Sequence, residues 1–421
     1  MRPWTSIRRA LSGWLLLAVA VLGLNAMLSG YPIEVDYGPS LVGSFSESAK
    51  FIIPLSAGAA AYLTGEIAAS LRSRSRARSV PTSLLPSVFG PVLATAVAAM
   101  LLCLTIELSR SEVTLSALLT SETVVMLGML GLVLVVHVAV GAAVGWLVPP
   151  VVAGPLVVLG SILWLMMPPA QTESVLTRQL IGMPVGCCDI DGVPSIGALT
   201  AAATVAAVWL AGSFVALLVR SKTFGACALV LGLILGATSG GTLTDRSNLP
   251  NPYLLEVTRP DETICRGTGP EVCLWPEIDD ATRVGQLSRD VYGAWDELGL
   301  EAPATFSAYD DGPGGSAYLD HRPWVSDAQV VSNLADAVIG YRVRSGEMCV
   351  DEPGSDIESF EMSREAVRIW LTRRAGVPAE DVAAMYGESA DRLGTSDLLA
   401  RADIDQIRWF DAEMSDLQAC R

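Results

Sequence analysis

Seven apolar runs constrain the fold of this chain more than any other feature of its sequence. They lie at residues 10–28, 51–71, 84–108, 124–148, 151–167, 196–219 and 224–237. A helix of about 20 mostly apolar residues crosses the bilayer core, and most of these runs approach that length. Because lipid offers the backbone no hydrogen-bond partners, such runs fold as helices. We predict an α-helical polytopic membrane protein with about seven spans.

Charge divides the chain into two unlike parts. Residues 1–240 carry 12 basic and 10 acidic side chains, whereas residues 241–421 carry 16 basic and 34 acidic ones. The acidic part repels the phosphates of nucleic acids, so no nucleic-acid partner is expected. We predict a transmembrane domain in the lipid bilayer over 1–240 and an acidic domain over 241–421. A stretch rich in glycine, serine, asparagine and proline after residue 237 is the predicted hinge.

Arginines in the short flanks of the runs predict the orientation, because basic residues concentrate on the cytoplasmic side of membrane proteins. The amino terminus and the segment after the second run carry seven of them: Arg2, Arg8, Arg9, Arg72, Arg74, Arg76 and Arg78. With this side in the cytoplasm, seven spans place the acidic domain outside the cytoplasmic membrane.

Six cysteines fall in segments that this orientation places outside, namely Cys187, Cys188, Cys265, Cys273, Cys349 and Cys420. Disulfides form in such a compartment. Cys265 and Cys273 enclose a Gly-Pro turn and suit a disulfide-closed hairpin, and Cys349 with Cys420 is a second candidate pair. Six cysteines permit fifteen connectivities, so the pairing stays open. A thiolate metal site is the alternative, but the CxxC spacing that zinc favours is missing, and we expect neither a metal nor a cofactor.

Three ionisable side chains interrupt the apolar runs: His137, Glu66 and Glu107. Such groups are costly at bilayer depth, which makes them candidate functional residues. His137 precedes Gly141 and Gly145, whose spacing lets another helix approach closely. The imidazole is predicted either to bond a neighbouring helix or to take part in transport. Glu107 is expected to be solvated at the interface, and Glu66 to pair with the arginine segment.

The acidic domain is predicted to be mostly helical with a small β-hairpin around Cys265 and Cys273. An extended piece is expected at 253–258. Helical periodicity and capping residues predict helices over about 284–298, 326–341, 360–374 and 379–386 and from residue 396. Trp275 and Glu277 follow the hairpin. Trp275 is predicted to be a buried anchor, with a binding contact as the alternative.

No catalytic motif is found in the sequence. The chain has no HExxH motif and no GxSxG elbow, and neither of its lysines, Lys50 and Lys222, belongs to a phosphate-binding loop. His321, the single histidine of the acidic domain, lies between two charged residues. We therefore do not expect an enzyme.

Several short motifs resemble a known group of proteins. They are an arginine-bearing amino terminus, a Tyr-Gly-Pro-Ser segment at 37–40, the arginine segment, and a Cys…Val-Cys-Leu-Trp-Pro-Glu signature within 265–277. Together they are similar to actinobacterial polytopic membrane proteins associated with ABC transporters. The resemblance implies a type-2-exporter-like permease subunit. Permeases of that type have six spans and both ends in the cytoplasm, whereas seven spans are predicted here.

Three functions are compatible with these observations. The first is a permease subunit driven by a separately encoded ABC ATPase, which docks on Arg72, Arg74, Arg76 and Arg78; these arginines are otherwise a topology signal that attracts anionic lipid. The second is a non-transporting protein, alone or in an oligomer, that anchors an extracytoplasmic binding, signalling or scaffold domain. The third is an envelope hydrolase. A polar cavity between the spans favours the first function, and a bundle sealed by small residues favours the second.

Overall fold

The computed structural model describes residues 35–74, 85–170, 179–184, 187–219, 221–246, 256–259, 262–267, 269–278, 281–297, 299–300, 303–309, 316–320, 326–343, 357–387 and 395–418. The chain divides into two units, Met1–Arg259 and Pro260–Arg421. The predicted first span at 10–28, with Arg2, Arg8 and Arg9, lies outside the described residues.

The described part of unit 1 is built from apolar helices. They are α1 (Gly38–Arg74), α2 (Leu85–Arg110), α3 (Ser121–Leu147), α4 (Pro150–Ala170), α5 (Ile196–Leu218) and α6 (Lys222–Arg246), with short 3-10 helices at Ala117–Leu119 and Gln179–Ile181. Among the described residues, five helices are long and apolar enough to cross a membrane, and the apolar part of α4, Pro150–Met166, is shorter. The predicted class of helical membrane protein is therefore confirmed at the level of several potential spans.

Helix α1 begins 13 residues before the predicted start at residue 51. Its added turns are buried: Leu41, Val42, Phe45 and Ala49 are at most 2% exposed, and they recur at helical spacing. At about 1.5 Å per residue, the 37 residues of α1 span about 55 Å, more than the ~30 Å of a bilayer core. The helix is therefore longer than a single crossing of the bilayer core requires.

Helix α6 corrects the predicted hinge after residue 237, because it continues to Arg246. The hydroxyls of Thr238 and Ser239 donate to the carbonyl oxygens of Ile234 and Gly236, each at 3.0 Å, and so stay within the helix. Gly240 lies so close to neighbouring side chains that a Cβ there would overlap them. Tertiary packing thus overrides the turn-forming composition of this stretch.

Helix α1 is the centre of the bundle. It contacts α2, α3 and α4, while α3 also contacts α5, and α5 packs along α6. Ala57 and Ala61 of α1 lie against Gly141 and Gly145 of α3 in the same order, so these two helices run in the same direction. One intervening helix, α2, accounts for this parallel arrangement.

A two-stranded sheet ties the segment after α6 back to the segment before α5. Strand β1 (Gly192–Pro194) pairs antiparallel with β2 (Glu256–Thr258), with Val193 opposite Val257. The chain up to Arg259 therefore belongs with the membrane helices in unit 1.

The sheet of unit 2 is larger than the predicted hairpin. Its strands are β3 (Ile264–Arg266), β4 (Glu271–Leu274), β5 (Thr305–Ser307) and β6 (Ser316–Tyr318), in that spatial order. The β3–β4 pair is the predicted antiparallel hairpin, whereas β5 and β6 are added in parallel. Strands of three residues are too short for an alternating pattern to be recognised in the sequence.

The helices of unit 2 follow the predicted periodicity closely. They are α7 (Ala281–Asp296), α8 (Asp327–Val343), α9 (Ile357–Arg374), α10 (Ala379–Tyr386), α11 (Thr395–Leu399) and α12 (Asp403–Gln418). The predicted cap of α8 is present, because the hydroxyl of Ser326 accepts from the backbone N–H of Gln329 at 3.3 Å. Arg364 of α9 donates to both carboxylate oxygens of Asp336 on α8, at 3.0 and 2.8 Å.

The last predicted helix is divided into α11 and α12. The side chain of Gln406 explains the division: its amide donates to the carbonyl oxygens of Leu399 and Arg401, at 3.3 and 2.9 Å. The same side chain accepts from the indole of Trp370 at 2.9 Å in the core of unit 2. The carbonyl oxygens of Leu399 and Arg401, at the break between the two helices, thus have hydrogen-bond partners inside unit 2.

Candidate functional site

The contact between α1 and α3 is made by backbone rather than by long side chains. Gly141 and Gly145 of α3 lie on Ala57 and Ala61 of α1, and a Cβ added to either glycine would overlap a carbonyl oxygen of α1. We call these four residues the glycine seam. The close approach expected from the spacing of the two glycines is present, and it leaves no space between the helices at this level.

A second close contact joins α5 and α6. A Cβ on Gly232 would lie 3.0 Å from the Cα of Gly212, and one on Gly236 would meet the indole ring of Trp209 at 2.5 Å. The indole N–H of Trp209 donates to the carbonyl oxygen of Leu233 at 3.0 Å. The indole ring of Trp209 therefore packs on small residues of α6.

His137 lies next to this tryptophan inside the bundle. The side chain is 5% exposed, and its ring centre is 6.3 Å from that of Trp209. Its Nδ1 is 2.9 Å from the carbonyl oxygen of Val133, and because a carbonyl only accepts, Nδ1 carries the hydrogen. This bond stays within α3. Among the described residues, the buried Nε2 has no hydrogen-bond partner.

Trp164 of α4 completes an aromatic group with His137 and Trp209. Its ring centre lies 4.7 Å from that of Trp209. The group brings together side chains from α3, α4 and α5, and the hydrogen bond to Leu233 adds α6. We did not predict it from the sequence, although tryptophans facing glycines in neighbouring apolar runs were an available signal.

Glu107 departs from its predicted place in solvent, because it is only 6% exposed. It ends a buried stripe on α2 that repeats every three or four residues and includes Val92, Ala96, Ala99 and Cys103. The position of the carboxylate is thus decided by the face of α2 that packs inward. Burial makes an ionised carboxylate costly unless a partner offsets the loss of hydration.

Three of the remaining predicted polar residues of unit 1, Glu66, Arg72 and Arg74, belong to the last turns of α1. Glu66 is half-buried, and the backbones of Arg72 and Arg74 continue the helix. Arg76 and Arg78 lie outside the described residues. The pairing of Glu66 with the arginine segment stays a prediction.

The start of α1 is held by two segments remote in sequence. The hydroxyl of Tyr37 donates to the carbonyl oxygen of Gly192 at 2.7 Å, and the guanidinium of Arg259 lies 5.2 Å from the centre of the Tyr37 ring. The backbone N–H of Arg259 donates to the carbonyl oxygen of Asp191 at 2.6 Å. We call Tyr37, Arg259 and the segment 187–192 the α1 clamp.

Two adjacent cysteines belong to the α1 clamp. Cys187 and Cys188 are bonded to each other and buried. The hydroxyl of Ser40 donates to the carbonyl oxygen of Cys188 at 2.6 Å, and a side chain on Gly43 would overlap the carbonyl of Cys187. The sequence left the partners of these cysteines open.

In unit 2 the predicted pair of cysteines closes the β3–β4 hairpin. Cys265 is opposite Cys273, and their sulfur atoms are bonded at 2.02 Å. Trp275 is 1% exposed and packs edge-on to Tyr309 with 6.1 Å between ring centres, while Glu277 is half-buried. Trp275 is thus the buried anchor that was expected. Cys349 and Cys420 lie outside the described residues.

One group of side chains in the described residues has the composition of a metal site. It consists of Cys265, Glu271 and Cys273. Because the two cysteines are bonded to each other, neither offers a thiolate, and one exposed carboxylate alone does not make a site. The chemistry that this group supports is that of a disulfide-closed hairpin.

Comparison with known proteins bears on unit 2. Neither a curated protein nor a solved structure matches the chain. The region that does match begins in β4, at the Val-Cys-Leu-Trp-Pro-Glu signature, and contains none of the apolar helices of unit 1. Residues 272–420 match a family described as a domain of unknown function (DUF7224).

Proposed function

We propose that the chain is an integral membrane protein whose helices anchor unit 2 as a binding or scaffold domain on the outer side of the cytoplasmic membrane. The observation that carries this proposal is the glycine seam. A route for a solute needs space or polar lining between helices, whereas here α1 and α3 meet backbone to backbone. The seam lies on α1, the central helix of the bundle, and closes its contact with α3.

The hydroxyl groups of the bundle support the same function. Ser56 of α1 donates to the carbonyl oxygen of Ile52, and Ser213 of α5 to that of Trp209, each at 2.8 Å. Thr200 donates to Ile196 in the same way at 2.7 Å. A hydroxyl that donates to its own helix has its single hydrogen occupied, so it offers a solute an acceptor but no donor.

Unit 2 has the attributes of a domain presented for binding. It is a compact unit with its own disulfide, and the chain that leads to it is held by the α1 clamp. A bundle with a fixed outer end suits a support for such a domain.

A second candidate is a permease-like component of an ABC-type transport system with a separately encoded ATPase. Two observations favour it. Helix α1 carries Arg72 and Arg74 on its last turns, so the arginine segment starts from a rigid element next to the bundle. In addition, the unpartnered Nε2 of His137 is a buried polar atom that a purely structural anchor does not need.

Thiol accessibility in living cells separates the two candidates, because any partner ATPase is then present and active. Ser213, fully buried on α5, is replaced by cysteine in a chain carrying Cys103→Ala and Cys227→Ala. A methanethiosulfonate with a fixed positive charge is expected not to label Ser213→Cys. It should label Glu112→Cys, whose parent side chain is polar and exposed in the connection between α2 and α3.

His137→Cys provides the second position, and the chain without an added cysteine provides the background. Labelling of either buried position at a rate near that of Glu112→Cys would reveal a water-filled path between the helices. That outcome would reject the anchoring function in favour of the permease.

A further inference from the structure

Exposed apolar side chains gather where the connection from α2 enters α3. Leu115 and Leu119 in this connection are 68% and 73% exposed. On the first turns of α3, Val124 and Val125 are 50% and 52% exposed, and Gly128 is also exposed. We call these five residues the outer apolar face. Val124 and Gly128 are four residues apart and therefore share one side of the helix.

The glycine on this face differs from those of the glycine seam. A Cβ added to Gly128 meets no atom within 4 Å, and the same is true of Gly131 one turn further on. Glycine inside a helix is less favourable than alanine. No described residue uses the space that these glycines leave.

The chain that lies outside the described residues arrives beside this face. Asp36 accepts from the backbone N–H and the hydroxyl of Thr114, at 2.6 and 2.9 Å. Gly38 lies directly against Ala117 and Thr123, the latter in the first turn of α3. Residue 35, where the description begins, is therefore fixed next to the outer apolar face.

The distance from this point to the predicted first span is short. The apolar run at 10–28 is joined to residue 35 by residues 29–34 alone. At about 3.5 Å per extended residue, the end of the run lies no more than about 25 Å from residue 35. The run contains no charged residue, and its 19 residues would reach about 28 Å as a helix.

We propose that residues 10–28 pack as a helix on the outer apolar face, antiparallel to α3. The direction follows because the run ends close to the start of α3. The open glycines then accept the side chains of a neighbouring helix, as small residues do in membrane bundles. Helix α3 would thereby be enclosed along its outer half as it already is along its inner half. This inference is independent of the proposed function.

Disulfide cross-linking in the full chain tests the proposal. Gly128→Cys is combined in turn with Val21→Cys, Leu22→Cys, Gly23→Cys or Leu24→Cys, in a chain with Cys103→Ala and Cys227→Ala. A protease site is inserted after Gly30. If the two helices are in contact, oxidation keeps the cleaved chain in one piece on a non-reducing gel, and reduction separates the fragments. We expect one or two of the four positions to cross-link, because successive residues of a helix point about 100° apart.

Gly160→Cys is the matched control, since Gly160 on α4 is also exposed and equally open. We expect it to give no retained fragment. Cross-linking to Gly160→Cys instead of Gly128→Cys would overturn the proposal. So would a cross-linked dimer from Gly128→Cys, which would assign the face to a second copy. Separation of the fragments at all four positions, in variants that elute and unfold like the parent, would show that lipid covers the face.

Discussion

The guanidinium of Arg259 lies 5.2 Å from the ring centre of Tyr37, across 222 positions of sequence. Tyr37 directly precedes α1, the central helix of the bundle, and Arg259 is the last residue of unit 1. The segment that ends in Gly192 is hydrogen-bonded to both residues: Gly192 accepts from the hydroxyl of Tyr37, and Asp191 accepts from the backbone N–H of Arg259. The chain that leaves for unit 2 is thus attached to the start of α1.

Weakening the contacts of Tyr37 and Arg259 should lower the stability of the protein and the protection of the amides in β1 and β2. Tyr37→Phe keeps the ring and removes the bond to Gly192, and we expect a loss of about 1 kcal/mol in the free energy of unfolding. Arg259→Ala should speed hydrogen exchange of the amides in β1 and β2, measured by mass spectrometry on the full chain in detergent. Unchanged exchange in both strands would mean that the β1–β2 pair is held without the clamp.

The glycine seam predicts a large difference between two chemically identical substitutions. Gly141→Leu places a side chain where α1 supplies a carbonyl oxygen, and we expect destabilisation of about 1 to 3 kcal/mol or more. Gly160→Leu, at an open position of α4, should leave the thermal unfolding midpoint nearly unchanged. Equal midpoints for the two variants would contradict the close contact of α1 with α3.

The β3–β4 hairpin should depend on its disulfide. Alkylation of the denatured, unreduced chain followed by peptide mass spectrometry is expected to leave Cys265 and Cys273 unmodified. Removing the bond with Cys265→Ala and Cys273→Ala should lower the stability of unit 2 by about 2 kcal/mol, because the unfolded chain regains the freedom of the closed loop. Cys103→Ala is the control for loss of a thiol. Recovery of both cysteines as alkylated peptides from the unreduced chain would refute the pairing.

The orientation remains a prediction from the arginines and cysteines. An alkaline phosphatase reporter, which needs an oxidising compartment, is expected to be active when fused after Arg421. A reporter that works in the cytoplasm alone should be silent at the same position. High activity of the cytoplasmic reporter would place unit 2 inside the cell.

Replacing the arginines of the arginine segment tests whether a cytoplasmic partner binds there. If a separately encoded ATPase binds there by charge attraction, replacing Arg72, Arg74, Arg76 and Arg78 with serine should abolish its co-purification at low salt, and added salt should weaken binding to the parent chain. The reporter fusions verify that orientation is unchanged in the variant. An ATPase retained equally by both forms, or recovered with neither, would count against docking at this segment.

Local signals in the sequence were sufficient for several elements. The spacing of Val284, Val291 and Trp295 predicted α7, and the cap at Ser326 predicted the start of α8. The two cysteines around a Gly-Pro turn predicted the β3–β4 hairpin. In each case the residues that determine the structure lie within a few positions of one another.

Other features depend on contacts that no local pattern reveals. Helix α6 runs through a glycine-rich stretch because Gly240 packs against Leu180 and Val205, and α1 starts early because its first turns are buried by segments 70 to 150 positions away. Glu107 was placed in solvent because its sequence position near the end of a run says nothing about which face of α2 packs inward. The α1 clamp joins residues from three remote segments and could not be predicted.

The β1–β2 pair also decides how mechanical load would travel through the chain. Tension on the polypeptide beyond Arg259 acts first on the hydrogen bonds that join β2 to β1, and on the contacts of Arg259 with Asp191 and Tyr37. Only after these give way would the force reach the last turns of α6. A pull on unit 2 is therefore transmitted to the start of α1, while α6, the helix that precedes unit 2 in the sequence, carries no load until the β1–β2 pair opens.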